Sequence, residues 1–299
     1  MQHILGILLK QDKAALESAL SLDPDTARIE AQMLIQQALG VSRAYLLAHP
    51  EQVMDEAQIS AYRALLQRRM EGEPLAHILG EREFFGLNFK VSPATLIPRP
   101  DTELLVELAL QRIPPPLPAP IYREGGARAF SVLDLGTGTG AIALSIAHTR
   151  PETEVTAVDA SQEALEIAQK NARLLNTANV RLLQSDWFSA LQGERFDLIV
   201  SNPPYIAETD AHLAQGDLRF EPRSALASGA DGLNDIRHII AHAKNHLSVG
   251  GWLLLEHGYD QVAQVRALFD ASGYTGAFSA PDLSGIERVS GGCTACPSS

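Results

Sequence analysis

Hydrophobic residues in the first 80 positions recur at helical spacing and show no convincing strand alternation. Three stripes share this spacing: Leu5, Leu8 and Leu9; Ile29, Met33, Leu34 and Leu39; and Ala57, Tyr62, Leu65, Leu66 and Met70. Asp25 is placed to cap the second helix and Gly40 to end it. We therefore predict a helical bundle over residues 1–80.

A different pattern begins at residue 81. Apolar residues between Phe84 and Val91 alternate with small or polar ones around a turn, which predicts a β-hairpin linking two domains within residues 81–98. Asp101 opens a helix that runs to about Arg112, since carboxylates suit the positive end of a helix dipole. Residues 113–129 hold five prolines and a Gly-Gly pair, and this composition predicts a loop.

From residue 130 onward, strand-like and helix-like segments alternate. The strands are 132–135, 155–158, 180–183, 196–200 and 252–255, and the helices are 141–147, 162–175, 236–247 and 261–269. Nearly continuous apolar strands separated by helices predict a mostly parallel sheet that is covered on both faces. Residues 99–299 are therefore predicted to form one α/β domain of the doubly wound, Rossmann-like type.

Composition narrows the class of protein. No apolar run approaches the roughly 20 residues that a membrane span needs, and the first residues lack the features of a secretory signal. The net charge of −12, from 24 basic and 36 acidic residues, is unusual for a protein that binds phosphate backbones. We expect a cytoplasmic monomer that contacts neither membranes nor nucleic acid directly.

The two cysteines, Cys293 and Cys296, form one Cys-x-x-Cys pair in the last seven residues. A single pair cannot complete a tetrahedral zinc site, so we predict no metal. Their Gly-rich and Ser-rich flanks predict a flexible tail over residues 291–299 with two reduced thiols.

An Asn-Pro-Pro-Tyr segment directly follows the apolar run 196–200, and its residues are Asn202, Pro203, Pro204 and Tyr205. Proline cannot continue a hydrogen-bonded ladder, so the chain stops stiffly at the carboxyl end of the strand. Open α/β sheets bind their ligands at this end. The Asn202 side-chain carbonyl and the Pro203 backbone carbonyl can each accept one N–H of a planar amino group, and the Tyr205 ring can pack on its plane. An ordinary proline-rich turn is the alternative.

A glycine-rich turn joins the first strand of the α/β domain to its helix. Its residues are Asp134, Gly136, Thr137, Gly138, Thr139 and Gly140. Such a turn lets backbone approach a ligand and also fits dinucleotides. The acid at Asp134 suits a cationic amino group better than a pyrophosphate, which favours S-adenosylmethionine. Asp159 ends the next strand and can accept both ribose hydroxyls, unless it only caps the following helix.

A third acid, Asp186, follows the next strand and precedes Trp187. The acid could take the adenine amino group while the aromatic ring packs on the base. Polar groups thus end four successive strands, at Asp134, Asp159, Asp186 and Asn202. This repetition along one edge of the sheet predicts a cofactor site that also includes Asn202.

These motifs resemble the class I S-adenosylmethionine-dependent methyltransferases and, within them, the protein-glutamine N5-methyltransferases. The resemblance also covers segments 80–87, 96–103, 256–261 and 282–288, and so nearly the whole chain. It implies that the helical domain recognises a substrate and that the second domain is catalytic. It implies methylation of the Gln in the Gly-Gly-Gln loop of peptide chain release factors, with S-adenosylhomocysteine as product. Asn202, Pro203, Pro204 and Tyr205 would bind that amide.

The family also implies that Phe85 and Arg99 lie near the mouth of the active site. Three alternatives remain open at the level of sequence. The same chemistry could act on a Gln of a ribosomal protein, or on the N6 of adenine in DNA or RNA with the base flipped out. The chain could also be a non-catalytic module that binds S-adenosylmethionine.

Overall fold

A computed structural model describes residues 3–115 and 128–294, and the chain divides into two compact units, Met1–Glu81 and Arg82–Ser299. The first unit is helical. Its helices are α1 (Leu5–Leu20), α2 (Pro24–Leu39), α3 (Arg43–Ala48), α4 (Glu56–Met70) and α5 (Leu75–Leu79). The three predicted helices are present, and two short ones, α3 and α5, were not predicted because each spans fewer than two full turns.

Side-chain caps define where these helices begin. Asp23, not the predicted Asp25, caps α2, since its carboxylate accepts from the backbone N–H groups of Asp25 and Thr26. Gly40 ends α2 in the left-handed conformation, as predicted.

The predicted core stripe of α2 is partly wrong. Leu34 is buried, but Ile29 and Met33 are 44% and 37% exposed. The buried stripe runs instead through Ala27, Ala31 and Ile35, which share one face with Leu34.

One ion pair is buried inside the helical unit. The Arg69 guanidinium donates to both carboxylate oxygens of Glu30, at 2.8 and 3.1 Å. Their side chains are only 7% and 11% exposed, so the pair lies among the apolar residues that hold α2 against α4. Removal of Arg69 would leave the buried Glu30 carboxylate without its counter-charge.

The second unit opens with a hairpin of β1 (Glu81–Phe84) and β2 (Leu87–Lys90). Phe85 and Gly86 form its turn, with φ of 52° and 74°. A 3₁₀ turn, Pro100–Thr102, then leads into α6 (Glu103–Arg112). The hairpin is therefore shorter than the predicted segment 81–98.

A seven-stranded sheet forms the centre of this unit. Its strands are β3 (Ser131–Leu135), β4 (Glu154–Asp159), β5 (Val180–Gln184), β6 (Phe196–Ser201), β7 (Leu247–Glu256), β8 (Thr275–Pro281) and β9 (Glu287–Cys293). Their order is β5-β4-β3-β6-β7-β9-β8. The first five are parallel, which confirms the predicted mostly parallel sheet. Strand order reverses between β3 and β6, the position where such sheets bind ligands.

Helices cover both faces of the sheet, as predicted. They are α6 and four further helices, α7 (Ala141–Thr149), α8 (Gln162–Leu174), α9 (Asn234–Ala243) and α10 (Val262–Ala271). Val132 of β3 packs in the core that includes α6 and α7, whereas its neighbours Leu133 and Leu135 pack in the core that includes α9 and α10. Side chains of alternate positions thus fill the two cores.

The end of the described chain differs from the prediction of a flexible tail. Residues 291–293 belong to β9, which pairs antiparallel with both β7 and β8, and Cys293 is 1% exposed. A Cβ at Gly291 would lie 2.5 Å from Leu254 Cδ2, so glycine is needed for close packing and does not mark disorder. Cys296 and residues 116–127 of the proline-rich loop lie outside the described residues.

Within residues 3–115 and 128–294, no helix combines the length and the hydrophobicity needed to cross a bilayer. The same residues contain no cluster of three or more His, Cys, Asp or Glu arranged to hold a metal ion.

Candidate active site

A cavity of about 450 Å³ opens at the carboxyl ends of β3, β4, β5 and β6. This volume is within the range of small-molecule sites. Residues that directly follow each of the four strands line it, together with the segments 93–99 and 222–225. Ten of the predicted site residues line the cavity: Arg99, Gly136, Thr137, Gly138, Thr139, Asp159, Asp186, Trp187, Asn202 and Pro204.

Positive φ angles explain the glycines after β3. Gly136, Gly138 and Gly140 have φ of 70°, 55° and 83°, a region that side chains with a Cβ rarely adopt. Gly140 does not line the cavity but precedes α7, where a Cβ would lie 2.8 Å from Leu144 Cδ1. The turn is therefore tight, and its backbone is open to a ligand at Gly136 and Gly138.

The Asp159 carboxylate anchors this turn. Its Oδ2 accepts from Gly138 N–H at 2.8 Å, and its Oδ1 accepts from Ser161 N–H at 2.9 Å. Ser161, not Asp159, caps α8, because the Ser161 hydroxyl accepts from Ala164 N–H. Burial raises the pKa of Asp159, although these backbone donors oppose the rise. A carboxylate has about four acceptor positions, so Asp159 retains capacity for a pair of ligand hydroxyls.

Asp134 lies deeper than the other acids that end the strands. Its carboxyl is fully buried beneath the glycine turn, where Oδ2 accepts from the Thr137 hydroxyl at 2.7 Å and from Ala143 N–H at 3.2 Å. It does not line the cavity. Burial raises its pKa to about 7. Asp134 thus shapes the turn through Oδ2, while its buried Oδ1 has no hydrogen-bond partner within the described residues.

Trp187 closes the side of the cavity above the glycine turn. A Cβ at Gly136 would lie 3.6 Å from its indole ring, so ring and turn are in contact range. Trp187 has φ of 47°, an uncommon conformation for an aromatic residue and one that often marks functional sites. Asp186 precedes it and is exposed at the cavity edge.

Asn202 reaches the cavity from the end of β6. Its amide nitrogen donates to the Thr102 hydroxyl at 3.1 Å. The amide oxygen is therefore the atom left to accept from an incoming donor. Pro204 also lines the cavity, whereas Pro203 is buried.

Tyr205 lies behind this corner. It packs against the core below α9 and α10, and its hydroxyl donates to Glu256 Oε1 at 3.3 Å. It is not among the residues that line the cavity, so its predicted packing on the substrate amide is not shown by the geometry. Burial is the main reason that its pKa is raised.

Two residues that sequence reasoning missed support the same corner. Gln261 Nε2 donates to the Tyr205 carbonyl at 2.9 Å. Gly232 has φ of 76°, and a Cβ there would lie 2.2 Å from the same carbonyl oxygen. The backbone of Tyr205 is thus held from two sides.

Glu256 lies behind the corner, where its Oε1 accepts from the Tyr205 hydroxyl, and it is 1% exposed. The sequence could have indicated it, because Glu256 directly follows the apolar run 252–255 and ends β7. A polar residue at the end of an apolar strand was the pattern that predicted Asp134, Asp159, Asp186 and Asn202. Thr102 carried no such signal, since it lies in a 3₁₀ turn far away in sequence.

The resemblance placed Phe85 and Arg99 at the mouth of the site, and only Arg99 lies at the cavity. The Arg99 guanidinium lies at the cavity and donates to Glu221 at 2.6 Å. Burial raises the pKa of Glu221 to about 7, although Arg99 opposes the rise. Phe85 is in the hairpin turn, where it packs against the core and its N–H donates to Glu103. Phe85 does not line the cavity.

Two family models match the chain. A methyltransferase small domain matches residues 124–259, and the PrmC N-terminal domain matches residues 8–80. A release factor glutamine methyltransferase of Salmonella typhimurium is 50% identical over 270 residues, which are 90% of this chain and 93% of that protein. A protein of the same name from Bordetella pertussis is 51% identical over 274 residues, 91% and 97% of the two chains.

Among solved structures, a methyltransferase from Pyrococcus furiosus superposes with a TM-score of 0.50 at 20% identity. The match covers 77% of this chain and 98% of that one. It supports the methyltransferase fold of the second unit.

Proposed function

The chain belongs to the release factor glutamine methyltransferase family, and we propose that it methylates the side-chain amide nitrogen of the Gln in the Gly-Gly-Gln loop of peptide chain release factors. As a member of this family it is an enzyme, and its methyl donor is S-adenosylmethionine. We propose that it acts as a cytoplasmic monomer and needs no direct contact with nucleic acid.

The observation that carries the proposal is the orientation of Asn202. Its amide nitrogen is held by Thr102, so its oxygen can accept an N–H from the substrate amide. The Pro203 carbonyl is proposed as the acceptor for the second N–H. Carbonyl acceptors favour the positive charge that develops on nitrogen as it is alkylated.

The cavity fits the cofactor. The glycine turn offers open backbone, Asp159 has acceptor capacity for ribose hydroxyls, and Trp187 offers a ring beside them. Asp186 is proposed to accept from the adenine amino group. When bound, S-adenosylmethionine supplies an activated sulfonium methyl group and leaves as S-adenosylhomocysteine.

The protein then mainly contributes position. Amide nitrogen is a weak nucleophile because its lone pair is delocalised into the carbonyl. Two acceptors that hold its N–H groups draw the lone pair out of conjugation and fix its direction, and such alignment can supply several kcal/mol. We propose that the extra proton leaves the nitrogen after transfer, when that nitrogen is acidic.

We propose that the helical unit, residues 1–80, recognises the release factor. Exposed apolar residues on α2, Ile29 and Met33, lie outside its core and are available for such recognition. The net charge of −12 argues against adenine in DNA or RNA as the substrate.

The test is to incubate the protein with methyl-labelled S-adenosylmethionine and three acceptors: a release factor, total ribosomal protein, and adenine-containing DNA and RNA. We expect label on the release factor alone, mass spectrometry to place it on the amide nitrogen of the Gly-Gly-Gln loop, and a Gln-to-Ala release factor to gain none. Label on a ribosomal protein or on nucleic acid would overturn the assignment.

Asn202→Ala provides the matched loss-of-function variant. We expect most turnover to be lost, whereas cofactor affinity weakens less. Near-normal turnover in this variant would show that another group holds the amide.

A further inference from the structure

We propose that three exposed apolar side chains, Tyr259, Leu283 and Ile286, form a docking patch for the apolar surface of the release factor that flanks its Gly-Gly-Gln loop. This inference rests on the proposed function, in which that loop enters the cavity. It assigns a role to exposed residues of the segments 256–261 and 282–288, which the resemblance covers but which do not line the cavity.

Sheet topology places the docking patch at the same edge as the cavity. β6 and β7 are parallel with Ser201 opposite Leu255, so the residues that follow the two strands leave the sheet at one edge. β9 is antiparallel to both β7 and β8, so the turn between β8 and β9 lies at this edge as well. His257 N–H donates to the Arg288 carbonyl at 2.9 Å, which holds the segment after β7 beside the start of β9. An acceptor that reaches Asn202 therefore arrives at the edge that carries the patch.

The Arg288 guanidinium connects the β8–β9 turn to the cavity. Its Nε donates to Asp282 Oδ2 at 3.3 Å, and its Nη2 lies 3.6 Å from Asp101 Oδ2. Asp101 directly precedes Thr102, which lines the cavity. The Asp282 carboxylate also accepts from Ile286 N–H at 3.0 Å, within the turn itself. The turn is thus tied to a residue next to the cavity by two carboxylates around one cation.

The apolar side chains are exposed around this anchor. Leu283 is fully exposed, and Tyr259 and Ile286 are 68% and 39% exposed. The Arg288 guanidinium lies 5.9 Å from the centre of the Tyr259 ring, so the ring and the turn flank the same cation. The Arg288 and Asp282 side chains are only 19% and 7% exposed, so the anchor itself is mostly covered. Exposed apolar residues grouped on a fixed support are typical of a protein interaction site.

The chemistry of the acceptor explains why contacts outside the cavity are needed. In a Gly-Gly-Gln loop two residues have no side chain, and the third presents its amide to the reaction. Affinity for a release factor must therefore come from surface beside the loop, where a few buried apolar anchors can supply most of it. Because Asp282 and Asp101 compensate the charge of Arg288, the docking patch favours an apolar protein surface over the phosphates of a nucleic acid.

Three variants test the docking patch: Leu283→Ser, Leu283→Met and Val249→Ser. Leu283 is exposed, so its replacement by Ser should leave the fold intact, which a thermal unfolding curve checks. Met keeps an apolar side chain of similar volume. Val249 is the matched control, because it is 92% exposed but lies near the amino end of β7, away from the cavity edge. Calorimetry measures the Kd for a release factor with S-adenosylhomocysteine bound, and steady-state assays measure kcat and KM.

We expect Leu283→Ser to raise the Kd and the KM for the release factor about tenfold, the effect of one lost apolar anchor. The kcat at saturating release factor and the cofactor Kd should stay within about twofold of wild type, because Leu283 does not line the cavity. Leu283→Met and Val249→Ser should behave like wild type. The double variant Tyr259→Ser/Leu283→Ser should weaken release factor binding further than Leu283→Ser alone.

The outcomes separate the docking patch from the proposed function. A wild-type protein that methylates no release factor would refute the function, whereas the calorimetric Kd still reports on docking directly. If Leu283→Ser and the double variant keep a release factor Kd within about twofold of wild type, the patch does not dock the release factor. In that case, conversion of a dimer to a monomer in sedimentation velocity would assign the patch to a second copy of the chain, and loss of RNA binding would assign it to nucleic acid. Either result would overturn the inference.

Discussion

Gly232→Ala tests whether the rigidity of the segment 202–205 is needed for turnover. Gly232 has φ of 76°, and its missing side chain leaves room for the Tyr205 carbonyl. An added Cβ would lie 2.2 Å from that oxygen and 2.8 Å from Gln261 Nε2. The methyl group of alanine would therefore collide with the Tyr205 carbonyl and with the Gln261 side chain that donates to it.

These distances set the size of the displacement at the Tyr205 carbonyl. Since Cβ contacts under 3.0 Å do not persist, the Tyr205 carbonyl must move by about 0.8 Å. A misplacement of about 1 Å can reduce turnover about a hundredfold, so we expect kcat to fall by about ten- to a hundredfold. The positive φ and the overpacking together should lower stability by about 2–4 kcal/mol.

The matched control is Gly285→Ala. Gly285 has φ of 79°, but nothing lies within 4 Å of the position of its Cβ. This variant carries the same backbone strain without the push on Tyr205. Steady-state kinetics with a release factor should show a large loss of kcat in Gly232→Ala and little in Gly285→Ala. If the two variants have equal kcat, the corner tolerates displacement and the reasoning fails.

Three further outcomes follow from the structure. Asp159→Asn should weaken S-adenosylmethionine binding about 10- to 100-fold in calorimetry, since an amide cannot accept from Gly138, Ser161 and a ligand diol together; unchanged affinity would place the ribose elsewhere. Arg69→Ala should cost about 3–5 kcal/mol in urea unfolding by leaving Glu30 buried and unpaired, and replacement of both by Met should cost less; equal losses would refute this. The free energy of unfolding should fall as pH rises from about 5 to 7, because buried carboxyls with a pKa near 7 keep protons in the folded state that the unfolded chain has lost. Each such carboxyl contributes up to about 1.4 kcal/mol per pH unit. A rise in the free energy of unfolding over this range would contradict the prediction. These carboxyls are Asp134, Glu221 and Glu256.

The sequence predicted the parallel part of the sheet because its strands are apolar throughout and end in polar residues. The ligand-binding edge followed from this pattern, and the structure brings Asp159, Asp186 and Asn202 around one cavity. The strand pattern did not predict how deeply each of these side chains is buried. Asp134 has the same strand-end signal as Asp159 but is buried under the turn, because only tertiary packing decides which side of a turn faces the ligand.

Features that depend on distant contacts were missed. Gly291 and Gly292 look like a disordered tail by composition, and only the neighbouring side chains of β7 and α10 show why a strand needs them. Thr102 acquires meaning only through Asn202, a hundred positions away. The exposed Ile29 and Met33 matched a helical stripe, but hydrophobic spacing alone does not show which of two adjacent stripes is buried.

The position of β9 determines when the sheet can be completed during synthesis of the chain. This strand follows β8 in the chain but lies between β7 and β8 in the sheet. It also carries Arg288, whose charge favours ionisation of Glu256. While the polypeptide is being synthesised, β7 therefore keeps an unpaired apolar edge until residues 287–293 emerge. We expect a chain truncated after Ile286 to aggregate and to bind a hydrophobic dye, and a soluble truncated chain would contradict this.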